Sequence, residues 1–134
     1  MADKIKLLIV DDSPGQCKTL KQILDKKGYA TITASNSGEA LSLVKEKEFD
    51  LIIMDLRLKA DKNGVEIFKD MKKIKPDTKA LLFTGFGPEE ERRLINEAAI
   101  EGMIDEFLRK PIEPDELIKA VQKHTGGRKD DSKD

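Results

Sequence analysis

Asp11, Asp12, Asp55, Thr84 and Lys110 are the residues whose types suggest joint chemistry, and each closes a short apolar run. Residues 5–10 lead into the acid pair, 51–54 into Asp55, 80–83 into Thr84, and the short run around Phe107-Leu108 into Lys110. Runs of that length and composition read as strands buried on both faces of a parallel sheet. Parallel strands point the same way, so all five residues arrive at one edge, outside the carboxyl ends, where open α/β sheets bind ligands. Three carboxylates gathered there would raise one another's pKa unless they shared a cation. A hard divalent ion that takes oxygen ligands, keeps waters and tolerates one or two carboxylates is Mg2+. With that ion beside Asp55, the Lys110 ammonium and the Thr84 hydroxyl could neutralise and orient phosphate oxygens. That is the positioning phosphoryl transfer to a carboxylate needs.

The elements that would carry these residues alternate along the chain. Ser13 offers an N-cap and Pro14 suits a first helical position, after which Cys17, Leu20, Ile23 and Leu24 recur at helical spacing until Gly28. Residues 29–34 make a weaker, Thr-containing strand whose polarity predicts a place at the sheet edge. Ser35-Asn36-Ser37-Gly38 leads into a helix with Ala40, Leu41 and Val44. After Asp55 comes a loop to Asn63, then Gly64, read as a residue that permits a turn others resist. A third helix from about Val65 places Ile67, Phe68, Met71 and Ile74 on one face. Gly85-Phe86-Gly87 precedes a fourth helix from Pro88 to about Glu101, and a last helix beginning near Glu113 turns Leu117, Ile118 and Val121 inward. Five β-α units predict an α/β doubly wound five-stranded parallel sheet with helices on both faces.

Composition bounds the rest. A chain of 134 residues is one domain by length and large enough for a self-sufficient core. The single Cys17 excludes an intramolecular disulfide, and with no leader or membrane-spanning stretch in the pattern a cytoplasmic location is the expectation. Twenty-five basic against 26 acidic residues, a net charge of −1, provide no global attraction to nucleic acid or anionic membrane. The polar segment 125–134 is expected to be a disordered tail following a folded unit at 1–124.

From about Lys4 to Lys123 the chain resembles the response-regulator receiver domains of two-component signalling. The resemblance rests on Asp11-Asp12, Asp55 after an apolar strand, Thr84-Gly85, and Lys110-Pro111 before the last helix. It implies a (βα)5 flavodoxin-like fold with strand order 2-1-3-4-5 and a cis Lys110-Pro111 peptide. By position, Asp55 would be the phosphoacceptor. Asp11, Asp12, Asp55 and the Arg57 backbone carbonyl would hold Mg2+, Lys110 would pair with phosphate, and Thr84 and Phe107 would form the switch. The implied phosphodonor is a histidine kinase or histidine phosphotransfer protein, and the implied output is a changed binding surface for an unidentified protein partner. Self-catalysed, Mg2+-dependent phosphorylation and dephosphorylation of Asp55 is implied in place of turnover of a separate substrate.

Several residues depart from that pattern. Thr84 and Lys110 are 26 positions apart, which is about four more than the resemblance implies, or roughly one extra helical turn. The loop after Asp55 is long and charged, with Lys59 where a proline is usual, and Phe86 is bulky beside Thr84, suggesting a long-lived phosphoryl state. Two other classes compete: an aspartate-nucleophile phosphatase, opposed by Arg57 where a second carboxylate would be needed, and a receiver-like scaffold that works unphosphorylated. Cys17 reads as a small core residue and His124 as a favourable cation in a last helical turn. The Lys-rich run 69–75 reads as a solvated helix face.

Overall fold

Leu51, Ile52, Ile53, Met54 and Asp55 are all buried, and they form the middle strand of a five-stranded sheet. The computed structural model describes residues 4–56, 64–84 and 104–126, with Arg93 and Asn96. In chain order the elements are β1 (Lys6–Val10), α1 (Pro14–Lys26), β2 (Ala30–Ala34), α2 (Ser37–Glu46), β3 (Leu51–Asp55), α3 (Gly64–Ile74), β4 (Ala80–Thr84), β5 (Glu106–Arg109) and α4 (Pro114–Thr125). The strands run in the order β2-β1-β3-β4-β5, as the resemblance implies, and every neighbouring pair is parallel, as the sequence pattern predicts. Arg93 and Asn96 are helical and fall inside the helix expected over 88–101. The rest of that helix, the loop 57–63 and the tail 127–134 lie outside the described residues.

Side-chain alternation divides the core into two layers. Leu8, Val10, Ile52, Met54 and Leu82 pack with α2 and α3, while Leu7, Ile9, Leu51, Ile53 and Leu81 pack with α1 and α4. Three helices bury most of the face their spacing promised: Cys17, Leu20 and Leu24 from α1, with Ile23 half-buried, Val65, Ile67, Phe68 and Met71 from α3, and Leu117 and Val121 from α4, joined there by Ala120. Ile118 and Ile74, expected inward, are only half-buried.

The ends are fixed by local chemistry. Ser13 Oγ accepts the Gln16 amide and Asn36 Oδ1 accepts the Glu39 amide, capping α1 and α2. Glu39 Oε1 in turn accepts the Ser35 amide and hydroxyl. After α1, Gly28 takes a φ of 93°, a conformation that side chains resist, and its amide donates to the Asp25 carbonyl. The polar strand β2 is indeed an edge, and Lys21 covers part of it by donating to the Thr31 carbonyl at 2.9 Å.

The Lys-rich face of α3 is less solvated than its charge suggests. Lys75 donates to the Lys47 carbonyl and to Glu48 Oε2, and Lys72 lies 5.5 Å from the Phe68 ring centroid while donating to the Pro76 carbonyl. Lys75 thus ties the segment just after α3 to the turn before β3, and Lys72 ties α3 to the turn that follows it.

Phe68 is fully buried and among the largest enclosed side chains. Phe68→Ala should lower the unfolding free energy by about 3–5 kcal/mol in urea titration, with the denaturant slope unchanged. A loss below about 1 kcal/mol would contradict this packing.

Candidate functional site

The carboxyl ends of β1 and β3 lie side by side because the two strands pair directly, with Val10 opposite Met54. Asp11 follows β1 with its amide donating to the Ala34 carbonyl, so its backbone continues the ladder toward β2. Only 2% of Asp11 and 7% of Asp55 is exposed, whereas Asp12 is half-buried. One oxygen from each of the three carboxylates can be chosen so that all lie within 4.8 Å of one another. Sequence reasoning placed these three acids at one edge, and the structure brings them together.

Asp11 is held from several directions. Its Oδ1 accepts the Ser13 amide at 2.9 Å, and its carbonyl accepts the Cys17 thiol at 3.2 Å. Its Oδ2 is buried without a hydrogen-bond partner among the described residues. Burial raises the Asp11 pKa, and the charges of Asp55 and Asp12 push it the same way; the Ser13 amide and the Lys110 ammonium oppose them. An unpartnered oxygen in an acidic cluster is costly in the ionised form. A hard cation would relieve both the burial and the repulsion, so the donor set fits Mg2+.

Lys110 comes to the same place from the far side of the sheet. Its Nζ lies 2.8 Å from Asp55 Oδ2, across 55 residues of sequence, and its peptide bond to Pro111 is cis, as the resemblance implied. Phe107 is half-buried on β5 and packs against the core layer shared with α2 and α3. Thr84 ends β4 with its backbone in register with Arg109, so its main chain reaches the expected edge. The Thr84 side chain, Arg57, Lys59 and Phe86 lie outside the described residues.

Two supports of the site were not read as such from sequence. The Ser13 amide completes a turn around the Asp11 carboxylate, for which an Asp two residues before a helix cap is the available signal. Cys17 touches Asp11 through its thiol, and no linear pattern marks that contact. Burial, with the nearby Asp11 charge second, pushes the Cys17 pKa up to about 11, so the thiol stays protonated at neutral pH.

Gly64 has a different role from the turn expected of it. It is the first residue of α3 and has no positive φ. Its requirement is space: a Cβ there would lie 2.7 Å from the Asp55 carbonyl oxygen, 3.0 Å from Leu82 Cδ2 and 3.1 Å from Leu56 Cα. The Gly64 amide donates to the Leu56 carbonyl at 2.6 Å, and the Leu56 amide donates to Phe83. Helix α3 therefore starts directly against the backbone that presents Asp55.

A five-stranded 2-1-3-4-5 sheet with an acidic trio and a lysine at its carboxyl edge defines a class, and comparison with known proteins agrees. The chain belongs to the response regulator receiver domain family, which matches residues 7–122. Receiver domains take phosphoryl groups from histidine kinases or phosphotransfer proteins and bind Mg2+ at an acidic site. Sporulation initiation phosphotransferase F of Bacillus subtilis is 34% identical over 119 residues, covering 89% of this chain and 92% of that protein. Other curated relatives are transcriptional regulatory proteins, and the chain spans about a quarter of their length. A CheY-like receiver domain protein from Methanospirillum hungatei superposes with a TM-score of 0.82 at 27% identity, over 92% of this chain and 95% of that one. A response regulator from Burkholderia pseudomallei, solved with a phosphorylated aspartic acid, calcium ion and citrate, gives 0.76 at 29% identity, over 92% and 69%.

Gly64→Ala should cost about 1–3 kcal/mol by chemical denaturation and shift the amide resonances of Asp55 and Leu56. By contrast, a Cβ at Gly15 meets nothing within 4 Å inside α1, so Gly15→Ala should stabilise by about 0.5–1 kcal/mol. Equal effects of the two substitutions would remove the close-approach argument.

Proposed function

We propose that this chain is a phosphorylation-switched signalling module in which Asp55 accepts a phosphoryl group from a histidine kinase or histidine phosphotransfer protein. The observation that carries this reading is the buried Asp11 Oδ2, without a partner among the described residues, in an acidic trio whose Asp55 pairs with Lys110. The similar response regulator from Burkholderia pseudomallei, solved with a phosphorylated aspartic acid and a calcium ion, supports an aspartate as phosphoacceptor. The folded unit would span residues 1–124, a bound that α4 overruns by one residue in ending at Thr125, and the polar remainder of 125–134 would form a tail.

Asp11, Asp12, Asp55 and the Arg57 carbonyl would hold Mg2+. When bound, the ion would supply positive charge to phosphate oxygens that otherwise meet three carboxylates. Asp55 would attack the phosphorus of a phosphoimidazole, forming an acyl phosphate O–P bond as the P–N bond to the donor breaks. Lys110, already beside Asp55 Oδ2, would exchange its carboxylate partner for a phosphate oxygen. Because the attacking group sits at the tip of a buried strand, little ordering entropy would remain to be lost at the moment of transfer. Hydrolysis of the acyl phosphate by the same site would reset the module.

The signal would leave through Thr84 and Phe107. The Thr84 hydroxyl would move to the phosphoryl group, and Phe107, half-buried on β5, would turn into the space left behind. This would alter the surface formed by the helix expected over 88–101, β5 and α4, to which an unidentified protein partner would bind.

Incubation with acetyl phosphate and Mg2+ should add a single phosphoryl group to the wild-type mass and none to Asp55→Asn. An adduct of equal yield in Asp55→Asn would sink the assignment, and partner binding unchanged in Asp55→Ala would favour a phosphorylation-independent scaffold. Metal binding has a pH signature as well. The folded-state pKa of Asp11 is raised, so the metal-free protein binds this proton more tightly than the unfolded chain does, and the Asp11 contribution to stability falls as pH rises through that interval. Mg2+ binds the ionised form, so it should raise the melting temperature at neutral pH. The increment should shrink as pH is lowered through the raised Asp11 pKa. An increment independent of pH would place the ion elsewhere.

A further inference from the structure

The amino ends of the strands carry a second concavity, remote from the acidic edge. It is a cavity of about 790 Å3, open to solvent, between the start of β1, the start of β2, the second half of α1 and the turn from α2 to β3. Its walls include Tyr29, Thr31, Ile32 and Phe49, and Lys4, Lys6 and Lys47 stand around it. Strands of five residues separate it from the carboxyl edge by about 15 Å, so it is no extension of the site above.

Its charges are unequal in availability. Lys21 is paired with Asp25 at 2.8 Å and also donates to the Thr31 carbonyl, while Glu48 is engaged by Lys75 at 3.0 Å. The Lys4, Lys6 and Lys47 ammonium groups are exposed and have no partner among the described residues, against the single uncommitted carboxylate of Glu46. Thr31, only 6% exposed, also leaves its Oγ1 without a hydrogen-bond partner among the described residues. The apolar part is substantial: Tyr29 is buried, and Ile32 and Phe49 are half-buried with surface left to cover.

We infer that this cavity binds a small organic anion, one carrying carboxylate or phosphate groups on an apolar or aromatic body. The volume is that of a small-molecule site, which commonly combines an apolar lining with a few fixed polar groups. The anionic groups would neutralise two or three of the free lysines, and the body would cover Ile32 and Phe49 beside the buried Tyr29. Inorganic phosphate lacks the body and should bind more weakly; an uncharged aromatic lacks the charge and should do the same.

Phenyl phosphate is a suitable probe, titrated into the full chain while amide resonances are followed by NMR. Saturable shifts are expected at Lys6, Thr31, Ile32 and Phe49, with a dissociation constant at or below about 1 mM. Lys6→Glu combined with Lys47→Glu replaces exposed side chains, leaves the rest of the spectrum in place, and should weaken binding by about tenfold or more. The inference is overturned if the shifts do not saturate, if the double variant binds as well as wild type, or if inorganic phosphate matches phenyl phosphate.

Discussion

The structure depends on holding two carboxylates largely out of water. Asp11 and Asp55 are both almost fully enclosed, on adjacent strands, with their oxygens a few ångströms apart. At Asp11, burial and the neighbouring carboxylate charges favour protonation, and the Ser13 amide and Lys110 counter this only in part, leaving the Asp11 pKa raised. The site is thus built in electrostatic deficit, ready for a cation and for a phosphoryl group whose charge can be shared with Lys110. The same deficit links Mg2+, pH and stability through one group of side chains.

Such an arrangement persists only if the backbone cannot relax away from it. The central strand β3 is buried along its whole length, with Ile52 and Met54 anchored in one core layer and Leu51 and Ile53 in the other. At its tip, Gly64 lets α3 begin against the Asp55 carbonyl, and the Leu56 amide is bonded to Phe83. Asp11 is restrained through its amide, its carbonyl and one carboxylate oxygen.

The amino edge follows a different rule. There the acids mostly serve the backbone or neighbouring lysines: Asp50 accepts the Lys6 amide, Asp105 accepts the Ala80 amide, Glu106 meets His124 at 2.6 Å, and Glu48 meets Lys75. These contacts tie strand starts and helix ends together, and Lys79 adds a bond to the His124 carbonyl at the end of α4. His124 thus serves as more than a favourable helix-end charge, since it joins α4 to β5. Around β2 the pairing is incomplete, which leaves Lys4, Lys6 and Lys47 available at a concave, partly apolar surface.

The sequence by itself determined the parallel sheet and the membership of its acidic edge, because buried parallel strands read as uninterrupted apolar runs and a shared direction brings their last residues together. It also placed the cap at Ser13 and the helix stop at Gly28, since these depend on side-chain and φ requirements a few residues apart, whereas among Ser35, Asn36, Ser37 and Gly38 only the structure singled out Asn36 as the second cap. Only the tertiary structure decided what depends on approach between distant segments. Gly64 is needed for space, not for an unusual φ, because the wall it faces is the backbone of Asp55 and Leu56 from another element. The Cys17 thiol on Asp11, the Asp11 oxygen without a partner among the described residues and the Lys75 bridge to Glu48 likewise follow from packing, which no linear pattern encodes. Local propensity specified which residues reach the edge; the distances between strands and helices specified which of them touch, and with that the charge state of the site.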